Sequence, residues 1–415
     1  MKKSLLALAA LSAIAGAAQA QSSVTVYGIL DVGYIGTNAR VSDSSNVNNG
    51  GQAKTTTNQF GQSAESTSRL GFKGNEDLGG GKSAFFTAEF YLYPQDQTLS
   101  GNTAGGLQNR QAFVGVKQNG LGQFAVGTQY TPVFSSMAAT DVGQTNNMAG
   151  NVIYPAVSSG NANDGANTAG MTVRTSNTLT VASDKFAGFG ANAMWTLNNK
   201  NQSQVDSTTG AATAGGNTNA SGWGLGADYT YKKFYVTAAY QSLKQLTTVG
   251  NTATNATPPV FGVTPAAWTG TQSNGATTAF STSAVNTTDN QVYAGATYDF
   301  GILKAYAQYI NRKATATANT GYYLKRQAEQ IGVRSYITPT IEAWASAGLG
   351  RYTAFGTNTP TANFNAWQLG SNYYLSKRTN LYAIYGQTLT SNSASGATTT
   401  SGGYNNYAVG VRHTF

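Results

Sequence analysis

Apolar and small or polar residues alternate with a period of two along almost the whole chain. Val24, Val26 and Gly28 begin the pattern in SSVTVYGILDVGY. Ala84, Phe86, Ala88, Phe90 and Leu92 carry it in SAFFTAEFYLY, and Phe234, Val236, Ala238 and Tyr240 in FYVTAAY. It returns at Val292, Ala294, Ala296 and Tyr298, and again at Ile341, Ala343, Ala345, Ala347 and Leu349. A strand sends successive side chains to opposite faces, so each stretch predicts a strand with one greasy face and one wet face. Sixteen such segments start near residues 23, 62, 81, 108, 122, 170, 187, 221, 233, 289, 302, 325, 340, 362, 379 and 402. Each runs for about 10–14 residues, where strands of water-soluble proteins average about 5–6. A tilted strand that crosses a bilayer needs about 9–11.

The connections alternate in length. NEDLGGG, QNGLG, SDKFAG, YKK, DFG, TPT and SKRT are short. Residues 37–61, 94–107, 133–169, 201–220, 245–288, 314–324, 355–361 and 392–401 form longer ones, rich in Ser, Thr, Asn, Gly and Ala. Short turns at one end and long loops at the other predict an all-β fold. It is a 16-stranded antiparallel up-and-down transmembrane β-barrel with short periplasmic turns and long extracellular loops. Hydrocarbon cannot solvate backbone N–H and C=O groups, so a sheet that crosses it must close on itself. The terminal segment YNNYAVGVRHTF must then pair with the first strand. Its face of Tyr407, Val409 and Val411 meets lipid, Arg412 turns inward, and Phe415 closes the barrel at an interface that favours aromatic rings.

Other features bound the alternatives. No apolar run near 20 residues follows residue 20, which excludes membrane-spanning helices. Residues 1–20 carry Lys2, Lys3, an apolar stretch from Leu5 to Ala15 and Ala18-Gln19-Ala20, the pattern of a cleaved secretory signal peptide. Residues 21–415 are then one barrel domain, exported to the outer membrane. The formal charge of +9 falls to +7 once Lys2 and Lys3 are removed. The cations are scattered, so no nucleic-acid partner is expected. Cysteine is absent, which removes disulfides and Cys-based zinc sites. GGGKS at residues 79–83 lacks the leading glycine of a phosphate-binding loop and precedes a strand, so it predicts a turn. His413 is the single histidine and has the parity of Val411 and Phe415, which leaves no hydrolytic dyad. No enzyme activity, cofactor or metal is expected.

The charges indicate the lumen. An Arg on the lipid face costs about 2–4 kcal/mol at mid-bilayer, so charges within strands should point inward. Arg174 shares a face with Ser176, Thr178 and Thr180; Arg69 opposes Leu70 and Phe72. Lys304 opposes Leu303 and Ala305, and Arg334 opposes Val333 and Ile337. Glu89 opposes Ala88 and Phe90, and Asp31 opposes Leu30 and Val32. Arg110 is ambiguous, because its parity is that of Ala112, Val114 and Val116. A barrel of sixteen strands is too wide for side chains to fill and holds water. Inward cations beside low-dielectric walls concentrate positive potential and favour anions; the alternative is that they are simply polar lumen groups, some paired with Glu89 or Asp31. Tyr235, Tyr306, Tyr336, Trp344 and Tyr382 could form a sugar-binding slide or sit at interfaces.

SSVTVYGILDVGY, SRLGFKGNEDLGGGKSAFFTAEF, NRQAFVGVKQNGLGQFAVGTQYTP, VRTSNTLTV and the final YAVGVRHTF resemble the trimeric general porins of Gram-negative outer membranes, in their betaproteobacterial and neisserial branch. The resemblance covers the whole chain. It implies sixteen strands and a third long loop, here residues 133–169, folded into the lumen. It implies a constriction with Arg69, Arg110 and Arg174 on the barrel wall facing that loop, and the inward loop would account for the parity of Arg110. Lys73, Glu89, Lys304 and Arg334 are expected to line the pore further. The Pro-Glu-Phe-Gly-Gly stretch of some relatives is missing, and the loop's acids are Asp141 and Asp164. Asp141, beside the apolar run VFSSMAAT, is the expected partner of the arginines. The implied function is a passive diffusion channel in the lipid bilayer for small hydrophilic solutes and inorganic anions, assembled as a homotrimer. The alternatives are a channel specific for a sugar or organic acid, and a surface adhesin or phage receptor on a barrel anchor.

Overall fold

The computed structural model describes residues 23–43, 52–101, 106–155, 168–202, 216–247, 287–317, 323–355, 361–395 and 398–415. Seventeen strand segments form one sheet among them. They are β1 (Ser23–Asp43), β2 (Gln52–Gln62), β3 (Arg69–Gly79), β4 (Lys82–Tyr91), β5 (Asn109–Gln118) and β6 (Gly122–Tyr130). After a short helix α1 (Pro132–Ala138) come β7 (Arg174–Ser183), β8 (Phe189–Gln202), β9 (Gly216–Tyr231), β10 (Phe234–Thr247) and β11 (Thr287–Asp299). The rest are β12 (Lys304–Ala316), β13 (Tyr323–Thr338), β14 (Ile341–Phe355), β15 (Thr361–Tyr374), β16 (Thr379–Ser395) and β17 (Thr398–Thr414). Neighbours pair antiparallel, and β17 returns to β1 with Val32 opposite Val411. β2 and β3 pair with the outer and inner parts of the same strand, β1, so they are two halves of one barrel stave. The fold is thus the sixteen-stranded closed barrel expected from the alternation.

The faces follow the pattern. On β14 the apolar row ends in Leu349, 57% exposed, whereas Glu342, Trp344 and Ser346 between its members are buried inside the barrel. At the seam the Phe415 N–H donates to the Gly28 carbonyl, and Gly28 N–H to that of Phe415, each at 3.1 Å. These bonds satisfy the last backbone groups of the closing strand. The GGG of residues 79–81 lies in the turn to β4, with positive φ at all three glycines.

Two departures from the sequence reading concern the strands' outer ends. Residues 37–61 are not one long loop: β1 runs on to Asp43 and β2 starts at Gln52. Polar residues extend the ladder here, with Thr56 Oγ1 donating to Asn38 Oδ1 at 2.9 Å and Asn38 Nδ2 to Asn405 Oδ1 at 3.3 Å. Beyond the hydrocarbon, such a ladder needs no apolar face. Between β2 and β3 the chain then turns inward. Asp31 holds this turn by accepting from the N–H groups of Glu65 at 2.8 Å and Ser66 at 2.6 Å.

The connection from β6 to β7 enters the lumen. Thr131 caps α1 by accepting from Phe134 N–H at 3.2 Å, and Pro132 occupies the first turn, where its missing N–H is harmless. Val133, Phe134 and Met137 of α1 are buried against Ala239, Tyr293 and Ile310 of the inner wall. Farther on, Asn146 Nδ2 donates to Gln368 at 2.7 Å, and the Ala149 N–H to Asn406 at 2.9 Å. Asn147 reaches the inward turn, donating to the Ser63 carbonyl at 2.8 Å. The loop then doubles back: Val152 N–H donates to Gln330 at 3.0 Å and Arg312 Nη1 to the Thr168 carbonyl at 2.6 Å. Its tip passes so close to β16 that a Cβ on Gly386 would lie 1.8 Å from the Ala149 carbonyl oxygen.

Candidate functional site: a basic wall facing an inward loop

Strands β3, β4, β5 and β7 make the wall that carries the expected arginines. Arg110 reaches the lumen side by a route different from the one expected. In the β4–β5 register Glu89 opposes Gln111, but Phe90 opposes Asn109. One extra residue, Arg110, is therefore accommodated in a β-bulge, which re-aims its side chain. Val114 and Val116 below it keep the outer parity, and Val114 is 62% exposed. The inward loop does not explain the parity; the bulge does. The register shifts again between Gly127 and Gln129, and beyond it Tyr130 opposes Arg174.

Glu89 sits at the centre of the group. Arg110 Nε donates to its Oε1 at 2.8 Å, Tyr27 OH donates to Oε2 at 3.0 Å, and Arg69 Nη1 lies 3.9 Å from Oε1. The second contact of Arg110 is Nη2 to Tyr130 OH at 3.1 Å, with its guanidinium 4.8 Å from the Tyr91 ring centre. Arg174 donates to Tyr91 OH, and its guanidinium lies 5.6 Å from the Tyr91 ring and 5.8 Å from that of Tyr130. The Tyr91 face thus attracts both arginines, and the Tyr130 face attracts Arg174. Lys73 lies 5.4 Å over the Tyr27 ring. The three arginines differ in access: the Arg110 side chain is 1% exposed and that of Arg69 is 21%, while Arg174 is buried. Arg69 is anchored by Nε to the Thr67 carbonyl at 2.9 Å, which leaves much of its guanidinium toward the lumen.

Lys304 and Arg334 lie on the other wall, directly opposite each other on β12 and β13. Arg334 is bound to Glu342 at 2.8 Å and donates from Nε to the Val142 carbonyl of the loop at 3.0 Å. Lys304 stands 5.2 Å over the Tyr306 ring. Asp141 belongs to this side too. It forms no ion pair with Arg69, Arg110 or Arg174, contrary to expectation. Its carboxylate accepts from Thr145 N–H at 2.6 Å and from Asn151 Nδ2 at 2.9 Å, folding the loop on itself. Burial pushes the Asp141 carboxyl above its ordinary pKa, against the pull of these donors and of Arg334. Asp164 lies outside the described residues. Trp344 and Tyr382 are covered by Val142 and Met148 of the loop, so they do not line an open slide.

The sequence reading passed over the charged residues that tether the loop, Arg312 with its partner Asp289 and Arg326. Arg312 holds Asp289 through Nε at 3.1 Å and Nη2 at 2.6 Å while binding the Thr168 carbonyl. Arg326, opposite Arg312 on β13, donates from Nη2 to the Val152 carbonyl at 2.5 Å. No signal separated these residues, because the inner face of β12 mixes Ile310 and Ala314 with its polar groups.

A closed barrel with an apolar outer belt, a charged inner wall and a loop across its interior is a membrane-spanning channel protein of the outer-membrane type. The description of the Gram-negative porin family matches residues 7–393, and the chain belongs to that family; it is a non-enzymatic outer-membrane porin. An outer membrane porin protein of Bordetella pertussis is 28% identical over 392 residues, covering 92% of this chain and 93% of that protein. Outer membrane porin protein 32 of Delftia acidovorans is 31% identical over 257 residues, 61% of this chain; the match spans 63% of that relative's length. Among solved structures, the anion-selective porin from Comamonas acidovorans aligns with a TM-score of 0.58 at 21% identity, covering 95% of this chain and 100% of that one. The trimer form of OmpT from Vibrio cholerae aligns at 0.55 and 13% identity, covering 95% and 99%. At these identities the structural likeness is one of fold.

Proposed function

We propose that this porin is a water-filled channel for passive diffusion of small hydrophilic solutes and that it prefers anions. The observation that carries the reading is the unequal use of charge around Glu89. Its carboxylate is taken by Arg110 and Tyr27, so Arg69 and Lys73 keep most of their field for the lumen. Asp141 supports it by spending its carboxylate inside the loop. A partly exposed cation beside low-dielectric walls raises the local anion concentration. Arg69, Arg110 and Arg174 act as the basic side of the constriction and Lys73 extends it; Lys304 and Arg334 line the pore on the opposite wall, where Arg334 ties down the loop that sets the size limit. The relative from Comamonas described as anion-selective is consistent with this reading.

Residues 1–20 are removed on export, leaving the barrel of 21–415 with an N-terminus at Gln21. The outer face of the short strands β4–β6 exposes Phe86, Val114, Phe124 and Val126, and subunits of a homotrimer meet there. Planar-bilayer recording in a KCl gradient tests the channel: a zero-current potential of the sign for chloride preference is expected, reduced in Arg69→Ser/Arg174→Ser. A wild-type potential that favours potassium contradicts the reading. The solute-specific alternative receives no support from Trp344 and Tyr382, which the loop covers. The adhesin reading rests on loops such as 248–286, which lie outside the described residues.

A further inference from the structure

The turn between β2 and β3 is larger than the ladder needs. Gln62 pairs with Val32 and Arg69 with Ile29, so residues 63–68 stand opposite Leu30 and Asp31 alone. The surplus chain is folded inward and tied down. Ser63 has a left-handed backbone, φ +61°, which costs a non-glycine residue and persists only where its surroundings enforce it. Here they do. The Ser63 N–H donates to the Asp31 carbonyl at 2.9 Å, and Ser63 Oγ accepts from the Ser68 N–H at 2.9 Å. The Asp31 carboxylate accepts the N–H groups of Glu65 and Ser66 and, at 2.6 Å, the Tyr382 hydroxyl. Glu65 is held from the closing strands, accepting from Asn380 Nδ2 at 2.9 Å with Arg412 Nε at 3.5 Å.

Two further contacts of this turn meet at Thr67. The inward loop docks on it through Asn147, whose N–H donates to the Ala64 carbonyl at 3.0 Å. Asn147 Nδ2 donates to the Ser63 carbonyl at 2.8 Å and to Thr67 Oγ1 at 3.0 Å. The Thr67 carbonyl in turn accepts from Arg69 Nε at 2.9 Å. One residue thus joins the loop to the most exposed of the three wall arginines. Arg69 also has a competing partner. Its Nη1 stands 3.9 Å from Glu89 Oε1, whose carboxylate is already shared by Arg110 and Tyr27. The bond to Thr67 holds the guanidinium back from that acid. Released from it, the side chain closes on Glu89, and an acid at contact distance cancels much of the field that a passing ion feels.

We propose that Asn147 is a positioning residue for ion preference: by clamping the turn of residues 63–68 at Ser63, Ala64 and Thr67, it keeps Arg69 off Glu89 and open to the lumen. The loop that narrows the pore thereby also sets the charge at the narrowing, through a residue with no charge of its own. The inference rests on the reading of Arg69 as a source of field in the channel.

The test is the zero-current potential of the purified porin in a KCl gradient, read together with single-channel conductance. Asn147→Ala removes the side-chain bonds and no charge. Its potential is expected to move toward potassium, by no more than Arg69→Ser moves it, and Arg69→Ser/Asn147→Ala is expected to match Arg69→Ser. Thr67→Val, which keeps the carbonyl and loses the hydroxyl, shifts the potential in the same direction by less. A merely structural role for Asn147 would change conductance through the loosened loop and leave the potential at the wild-type value; that result overturns the proposal. So does a shift in Asn147→Ala that persists in full in the Arg69→Ser background, because it would act through another charge. If Asn147→Ala forms no channels, Thr67→Val with and without Arg69→Ser decides by the same two criteria. A wild-type potential favouring potassium defeats the anion-preferring reading alone, since each variant is compared with wild type and its shift still reports where Arg69 stands.

Discussion

On the wall formed by β3, β4, β5 and β7, cations crowd around one carboxylate and two tyrosine rings, and Arg69 is left open to the lumen. On the wall from β10 to β17, inward polar groups are spent on the loop: Gln330, Arg326, Arg334, Gln368 and Asn406 all bind its backbone or side chains. The first wall presents charge and the second consumes it. The difference teaches that an inward cation in a wide barrel is not by itself a selectivity element. What matters is how much of it stays open to the lumen after backbone carbonyls and carboxylates have taken their share: the Arg69 side chain remains 21% exposed and that of Arg334 only 7%. Arg334 and Arg69 share residue type and parity, yet one is a tether and the other a field source.

The largest effect that would break this contrast lies inside the basic wall. Arg110→Ser removes the buried partner of Glu89 and leaves an under-compensated carboxylate. A loss of about 3–5 kcal/mol is expected for breaking such a pair, read as a lowered temperature for conversion of folded barrel to unfolded chain on semi-native gels. An unchanged transition would show that Tyr27 and Arg69 suffice for Glu89.

Next comes the loop. Gly386→Val places a side chain on the Ala149 carbonyl and must push the tip of the loop off β16. Higher or noisier single-channel conductance is expected, with little change of ion preference. A conductance equal to wild type would mean that the tip does not restrict the pore. Asp289→Asn acts more mildly, because Arg312 keeps the Thr168 carbonyl while losing its ionic partner. More frequent brief current fluctuations should appear, and a quiet trace would remove Arg312 from the tethers.

The smallest effect concerns Asp141. Its carboxyl is raised by burial in the folded loop, so protonation favours the folded form. Its contribution is present below the ordinary carboxylate range and is lost as pH rises through the raised value. In mildly acidic solution the wild-type loop should fluctuate less than at neutral pH, and Asp141→Asn should remove that difference. A pH dependence that survives in Asp141→Asn would assign it to another group.

The staves were legible because alternation is a local signal that a bilayer enforces on every strand. Arg69, Glu89 and Arg174 were legible for the same reason, since hydrocarbon leaves a mid-strand charge one direction to point. Arg110 was not, because a single extra residue in β5 reverses the phase and leaves no mark in composition. Asp141 was assigned to the wrong side because a loop's fold depends on partners far along the chain, such as Gln368 and Arg334. Arg312 and Asp289 escaped for a related reason: the loop covers Ile310 beside them, so the inner face there is no more polar than the outer. The tall hairpin of β1 and β2 was read as a loop because its ladder outside the membrane, with Thr37 opposite Thr57, Asn38 opposite Thr56 and Arg40 opposite Lys54, carries no apolar alternation.

The division between the walls is tested most directly by the zero-current potential in a KCl gradient, measured on Arg69→Glu and Arg334→Ser side by side with single-channel conductance. Arg69→Glu should move the potential strongly toward cation preference with modest change in conductance, and Arg334→Ser should alter conductance while leaving the potential near wild type. Equal shifts of potential in both variants, or none in Arg69→Glu, would contradict the assignment of selectivity to one wall and of size restriction to the other.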